Sequence, residues 1–426
     1  MRRRLARGAG AMALAGVLAV TAALSAEAAP HRGKTVRISV PADGQQVEDG
    51  GNSPSISGDG RYVAFQSTSP GLVPDDTDSQ TDVFLRDLRK GTIERISVRD
   101  DGSEYPLSAW EAAVSSDGRY IAYTAGTGSY EDHTTFYGVY LKDRRKKRTE
   151  LVSLMDDERP VAQAYGVTQV SRDGRYVAFA AYFSETGETA PGMRSGIYLR
   201  DRELGTTKLI STSTPPVAGG TGWGVGYYFS MSADGSRIAY SLERGRGTYY
   251  VHLWDRRTGR TELFDQGSSV SGAGRAPTFS GDGRYVAFRS AASDLVPGDT
   301  NGVPDVFVRD LRRGTTERVS LAADGGELDQ RSETPVITGD GRHVFFTSTA
   351  TGLVPGGTQP NQLYVRDLRR DITRQVTAPL TEDDSPTWPV AAPSRDGRTV
   401  AFESFAENLV PDDTNRSPDV FVRRMR

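Results

Sequence analysis

The sequence predicts an all-β chain folded as a single seven-bladed β-propeller, and three observations carry that prediction. A nine-residue motif recurs seven times, four strand-like segments accompany each complete copy, and the strand missing after the last copy lies ahead of the first. The motif reads SGDGRYVAF at residues 57–65 and again, unchanged, at residues 280–288. Its other versions are SSDGRYIAY, SRDGRYVAF, SADGSRIAY, TGDGRHVFF and SRDGRTVAF. The motif aspartates, Asp59, Asp117, Asp173, Asp234, Asp282, Asp340 and Asp396, are spaced 58, 56, 61, 48, 58 and 56 residues apart. These intervals exceed leucine-rich and ankyrin periods and fit propeller blades with long loops.

Each copy has the same internal order. A first strand, A, ends at the Asp-Gly turn, where Asp accepts a local backbone hydrogen bond and Gly accepts a positive φ. That chemistry assigns the seven aspartates to hairpins, and the motif differs from the sialidase-type S-x-D-x-G-x-x-W box because Gly follows Asp directly. Strand B, such as YVAF, is apolar at odd and even positions, so both its faces are covered. A blade sandwiched between two neighbours meets that condition. Strand C follows a variable loop (TDVFLRD, DVFVRD, QLYVRD), then come a basic turn (LRKGT, LRRGT) and strand D (ERISV, ERVSL). The seventh copy stops at Val420-Phe421-Val422-Arg423. The segment TVRISV at residues 35–40 matches IERISV at residues 93–98 and is expected to supply the missing strand, closing the ring and hiding two sheet edges. The propeller is therefore expected over residues 35–426, with blade 7 shared between both ends.

The S-x-D-G-R-x-[IV]-A-[FY] signature resembles the WD40-like PD40 repeats of TolB-type propellers, over almost all of the chain after the leader. The resemblance implies the propeller fold. TolB-type proteins also carry an N-terminal α/β domain and six blades, whereas here the leader runs straight into a strand.

Residues 1–29 read as a secretory signal peptide: Arg2, Arg3, Arg4 and Arg7 precede an apolar run, and Ala26-Glu27-Ala28 offers a cleavage pattern. The run is too short for a transmembrane anchor, so a secreted protein, extracellular or periplasmic, exported by the general secretory route is expected. The sequence contains no cysteine, which removes disulfides and a lipid-bearing thiol. A formal charge of −3 gives no footing for nucleic acid, and a monomer is expected.

Three loops between strands B and C place oxygen side chains at the first, third and seventh positions of a short run. These are Asp76, Asp78 and Asp82; Asp299, Asn301 and Asp305; and Asp413, Asn415 and Asp419. Calcium takes such hard ligands, and Asx-type loop packing takes the same residues. The sixth copy keeps the loop without the acids. A second candidate site is the channel mouth, where the D-to-A connections converge on Asn52, Trp110, Tyr165, Tyr227, Arg275, Glu333 and Trp388. Their variety suits stacking and orienting a ligand.

Nothing assigns catalytic residues. There is no G-x-S-x-G, and the histidines (His31, His133, His252, His343) lack metal-ligand spacing. The expectation is a non-enzymatic module binding a protein, peptide or glycan of the cell envelope. Two alternatives stay open: a propeller hydrolase or lyase acting on polysaccharide with carboxylates at the channel mouth, and a structural subunit of an envelope assembly.

Overall fold

The computed structural model describes residues 33, 35–128, 135–161, 163–183, 194–212, 228–243, 248–263, 270–271, 277–356, 362–377 and 390–425. They form seven antiparallel sheets with no helix among the described residues. In blade 1 the strand order is Asn52–Ile56, Tyr62–Ser67, Asp82–Asp87 and Thr92–Arg95. Blades 2 to 6 repeat that order, and in blade 4 a short strand, Val270–Ser271, pairs with the third. The A strands of neighbouring blades approach one another, so they are innermost and line the axis.

The motif builds each hairpin as its chemistry requires. Ser57 Oγ donates to Asp59 Oδ1 at 2.6 Å, the Arg61 amide donates to the same oxygen at 3.0 Å, and Gly60 takes φ 71°. The motif arginine then reaches the end of strand C. Arg61 Nε and Nη2 donate to Asp87 Oδ1 and Oδ2 at 3.0 and 2.6 Å, and the amides of Arg89 and Lys90 cap the same carboxylate. Arg119–Asp143, Arg175–Asp201, Arg284–Asp310 and Arg342–Asp367 repeat the clamp.

Core packing runs between blades. Val63, Phe65 and Phe84 of blade 1 share one cluster with Ala401, Val420 and Val422 of blade 7. Each such buried side chain is worth about 2 kcal/mol relative to exposure. The strand Thr35–Arg37 completes blade 7 against Asp419–Arg424, pairing Thr35 with Arg423, Val36 with Val422 and Arg37 with Phe421. The sequence-based closure is thus observed.

Candidate functional site

The first residues of each A strand and the last of each B strand meet at one end of the ring. Here the A strands of blades 1, 2, 3 and 6 bulge between Asn52 and Ser55, Trp110 and Ala113, Tyr165 and Thr168, and Glu333 and Val336. A left-handed residue sits in each bulge: Ser53 (φ 51°), Glu111 (φ 56°), Gly166 (φ 64°) and Thr334 (φ 50°). Such backbone is costly for non-glycine residues and accumulates near working sites. At two seams the B strand of the preceding blade supplies an acceptor to the bulged amide. Glu403 accepts from the Ser53 N–H at 2.7 Å and Gln66 from the Glu111 N–H at 3.0 Å.

Between blades 5 and 6 the pattern breaks. The position of Gln66 and Glu403 is occupied by Arg289, a donor where those two seams place an acceptor. Its side chain is 5% exposed, and Nε lies 2.7 Å from Glu333 Oε2. Nη1 is buried with no hydrogen-bond partner. Burial pushes the Glu333 carboxyl above its usual pKa, against the pull of Arg289 and Arg331, and lowers that of Arg289. A desolvated guanidinium with an unused N–H next to a carboxyl of raised basicity is an arrangement that accepts an anion and can move a proton.

The predicted mouth residues Asn52, Trp110, Tyr165 and Glu333 all fall within the first three positions of A strands. Trp110 packs on Tyr137 with ring centroids 4.8 Å apart, and Tyr165 stacks on Tyr182 at 4.2 Å, so both rings are engaged within their own blades. Tyr227, Arg275 and Trp388 lie outside the described residues, as does His133. His252 is buried against Tyr240, as expected of a packing residue. Arg289 was not among the predicted residues. Its signal was available: the residue after the motif's final aromatic reads Gln66, Thr124, Ala180, Ser241, Arg289, Thr347 and Glu403 in the seven copies, and one of the seven is cationic.

The loop acids also come together. Ligand oxygens of Asp76, Asp78 and Asp82 lie within 4.8 Å of one another. Arg95, from strand D, enters this group, with Nη1 3.3 Å from Asp76, 3.3 Å from Asp82 and 2.5 Å from Glu104. The other two loops are built alike. Arg318 Nη1 lies 3.4 Å from Asp299, 3.5 Å from Asp305 and 2.7 Å from Glu327. Arg37 Nη1 lies 3.0 Å from Asp413 and 3.3 Å from Asp419, while Asn301 donates to Asp305 Oδ2 and to the Leu328 carbonyl, and Asn415 to the Val47 carbonyl. Burial pushes Asp76 and Asp413 up to about 6. Blade 6 exchanges the set as a whole: Gln362 stands at the position of Asp82, Gln375 at that of Arg95, and the two amides bond at 3.1 Å. Acids and arginine come and go together, so each group already contains its cation. A divalent ion at Asp76, Asp78 and Asp82 would have to share these oxygens with the Arg95 guanidinium.

No protein-family model matches the chain, and no curated protein matches it. Solved structures do. An oligogalacturonate lyase in complex with manganese matches with a TM-score of 0.57 and 12% identity, covering 93% of this chain and 94% of that one. An oligogalacturonate lyase from Vibrio parahaemolyticus matches with a TM-score of 0.56 and 11% identity over 93% and 94%. This chain is similar to them in fold. TolB from Acinetobacter baumannii matches at 15% identity over 86% and 80%, with a TM-score of 0.42. The β-propeller domain of the Trilobed protease from Pyrococcus furiosus matches with a TM-score of 0.54 and 12% identity over 89% and 94%, so the resemblance read from the repeats stands at the level of the β-propeller. The expectation of a non-enzymatic binding module is corrected: over almost their whole length, the two lyase matches are enzymes made of such a ring. No helix among the described residues is long and apolar enough to cross a membrane.

Proposed function

We propose that the protein is a propeller enzyme that cleaves an acidic polysaccharide by elimination, at the ring mouth where blades 5 and 6 meet. The observation that carries this reading is the enclosed Arg289 guanidinium with an unpartnered Nη1 beside Glu333. A uronate carboxylate supplies the missing acceptor, since guanidinium and carboxylate match as fork and fork. Neutralising that carboxylate acidifies the hydrogen on the adjacent ring carbon, C5. The Glu333 carboxylate takes this proton, the C–H electron pair becomes the C4=C5 double bond, and the C4–O4 bond breaks. The departing oxygen leaves protonated by solvent. Elimination needs one base and one neutralising cation, both found at this seam. Hydrolysis needs two facing carboxyls, and Glu403 is committed to the Ser53 amide. Oligogalacturonate, named for the two matching lyases, belongs to this substrate class. The signal peptide expected at residues 1–29 would carry the protein to where such polymers lie.

No step passes through a metal, and the loop acids act as arginine-held clasps. Calcium and chelator are expected to give the same melting temperature; a calcium-dependent rise would return Asp76, Asp78 and Asp82 to metal binding. The activity test incubates the protein with oligogalacturonate and other uronate polymers and follows the ultraviolet absorbance of the unsaturated product. Arg289→Ala and Glu333→Gln should each lose about a hundredfold or more in rate. New reducing ends without that absorbance would mean hydrolysis, and no turnover of any uronate polymer would end the enzymatic reading.

A further inference from the structure

The opposite end of the ring, where the A–B and C–D turns emerge, holds a second site. At four seams a tyrosine at the start of strand B closes the gap to the next blade, and at three of them two guanidiniums cover its ring. Tyr62, Tyr120 and Tyr176 lie under the turn glycines of the following blades, so that a Cβ on Gly118, Gly174 or Gly235 would fall 2.4, 2.5 and 2.5 Å from their rings. Each ring also sits near two guanidiniums. Arg61 and Arg144 lie 4.7 and 4.2 Å from the Tyr62 centroid, Arg119 and Arg202 4.6 and 5.5 Å from Tyr120, and Arg175 and Arg256 5.0 and 4.3 Å from Tyr176. The second arginine of each pair comes from the next blade's C–D turn.

Between blades 6 and 7 both parts are missing. His343 replaces the tyrosine, with Nδ1 3.0 Å from where a Cβ on Gly397 would stand. Met425 takes the place of Arg144: its amide donates to the Arg398 carbonyl as the Arg144 amide donates to that of Arg119. Blade 7 has no C–D turn at all, because its outer strand comes from the other end of the chain. A cavity of about 240 Å³ lies at this seam.

Its wall is cationic. Arg342, Arg370, Arg374 and Arg398 line it together with Asp367 and Asp396, which leaves a surplus of two positive charges with His343 neutral. Burial lowers the His343 pKa, which keeps the ring neutral. Asp367 is already shared between Arg342 at 2.7 Å and Arg370 at 4.0 Å, and Arg398 stands 3.5 Å from Asp396. The buried His343 Nδ1 has no hydrogen-bond partner. We propose that this cavity binds a phosphoryl group, as inorganic phosphate or as a small phosphate monoester. Four arginines and two aspartates line the one cavity, so its wall carries a net positive charge, and guanidinium presents the fork of donors that phosphate oxygens accept from.

The test is calorimetric titration of the whole protein with inorganic phosphate, a hexose monophosphate and acetate at matched ionic strength. Saturable binding of phosphate or of the monoester is expected, and the tighter of the two names the source of the group. His343→Tyr refills the cavity with the side chain of the sealed seams and should weaken binding by about tenfold or more while the fold stays intact. Arg398→Ala should weaken it by a similar factor. Absence of phosphate and monoester binding, acetate binding as tight as phosphate, or an unaltered affinity in a folded His343→Tyr variant would overturn the proposal.

Discussion

Blades 1 and 7 carry the same clasp at the mouth end, but one is made within a single stretch of chain and the other joins the chain's two ends. In blade 1, Arg95 meets Asp82 from thirteen positions away; in blade 7, Arg37 meets Asp419 across 382 positions. The surrounding contacts agree as well. Val83 and Val420 donate to the hydroxyls of Ser97 and Ser39, and those hydroxyls donate to Asp82 and Asp419. At the turn end the two blades part company. Blade 1 has the Arg61–Asp87 clamp, whereas blade 7 has Arg424 where the aspartate would stand, and Arg398 is 85% exposed. Ring closure therefore relies on the mouth end, and the turn end of blade 7 is left open enough to form a cavity.

The largest expected effect separates the two clasps completely. A chain beginning at residue 43 keeps blade 1 whole but exposes the Asp419–Arg424 edge, and it should lose its cooperative melting transition and aggregate. A monomeric product with unchanged melting would show that the closing strand is dispensable.

Next comes the arginine itself. Arg37→Ala leaves Asp413 and Asp419 buried without their cation, and its loss is expected at ~3 kcal/mol in denaturant unfolding. Arg95→Ala removes the same interaction where the strand is still tethered at both ends, so its loss should be smaller. Equal losses would mean that the clasp contributes no more to closure than to a loop.

Acid titration sharpens the contrast further. The bond from Arg61 holds Asp87 down to about 2, and Arg284 does the same for Asp310. A carboxyl with a lowered folded pKa gives stability that is full above its unfolded value near 4 and lost as the pH falls towards 2. Asp76 and Asp413, raised to about 6 by burial, act in the opposite sense: the fold loses stability as the pH rises from about 4 through 6. Asp87→Asn should therefore flatten part of the acid limb of a melting-temperature profile, and Asp413→Asn part of the fall above pH 4. The smallest effect is that of His343→Tyr on stability, a gain of up to about 1 kcal/mol from filling the seam, measured by the denaturation midpoint.

The fold was legible because turn chemistry is local. Ser57, Asp59 and Gly60 make their hairpin with neighbours only, so seven equivalent turns demand nearly the same residues. Closure was legible because the segments around Arg37 and Arg95 answer to one environment. The mouth was legible in part. Glu333 stood out as a variable residue at a strand start, but its partner Arg289 reaches it from another blade, and periodicity within one blade carries no information about that pairing. The loop acids were legible as a group of oxygens, while the cation among them was not, since Arg95 sits in a strand that reads as a polar outer edge. The variation among copies held the missing clue, because Gln375 replaces the arginine in the same blade in which Gln362 replaces the aspartate. His343 stands in the sixth copy where the first has Tyr62, and the space at that position appears only with blade 7 beside it.

Thr35 and Arg423 face each other across two neighbouring strands. A short glycine bridge from residue 426 to residue 33, with a cut among residues 100–102, would give a circular permutant in which blade 7 is continuous and the seam lies between blades 1 and 2. Such a chain would keep every clasp while changing which one holds free ends. The place at which the ring is sewn is then a property of the gene's order, and the packing between blades is indifferent to it.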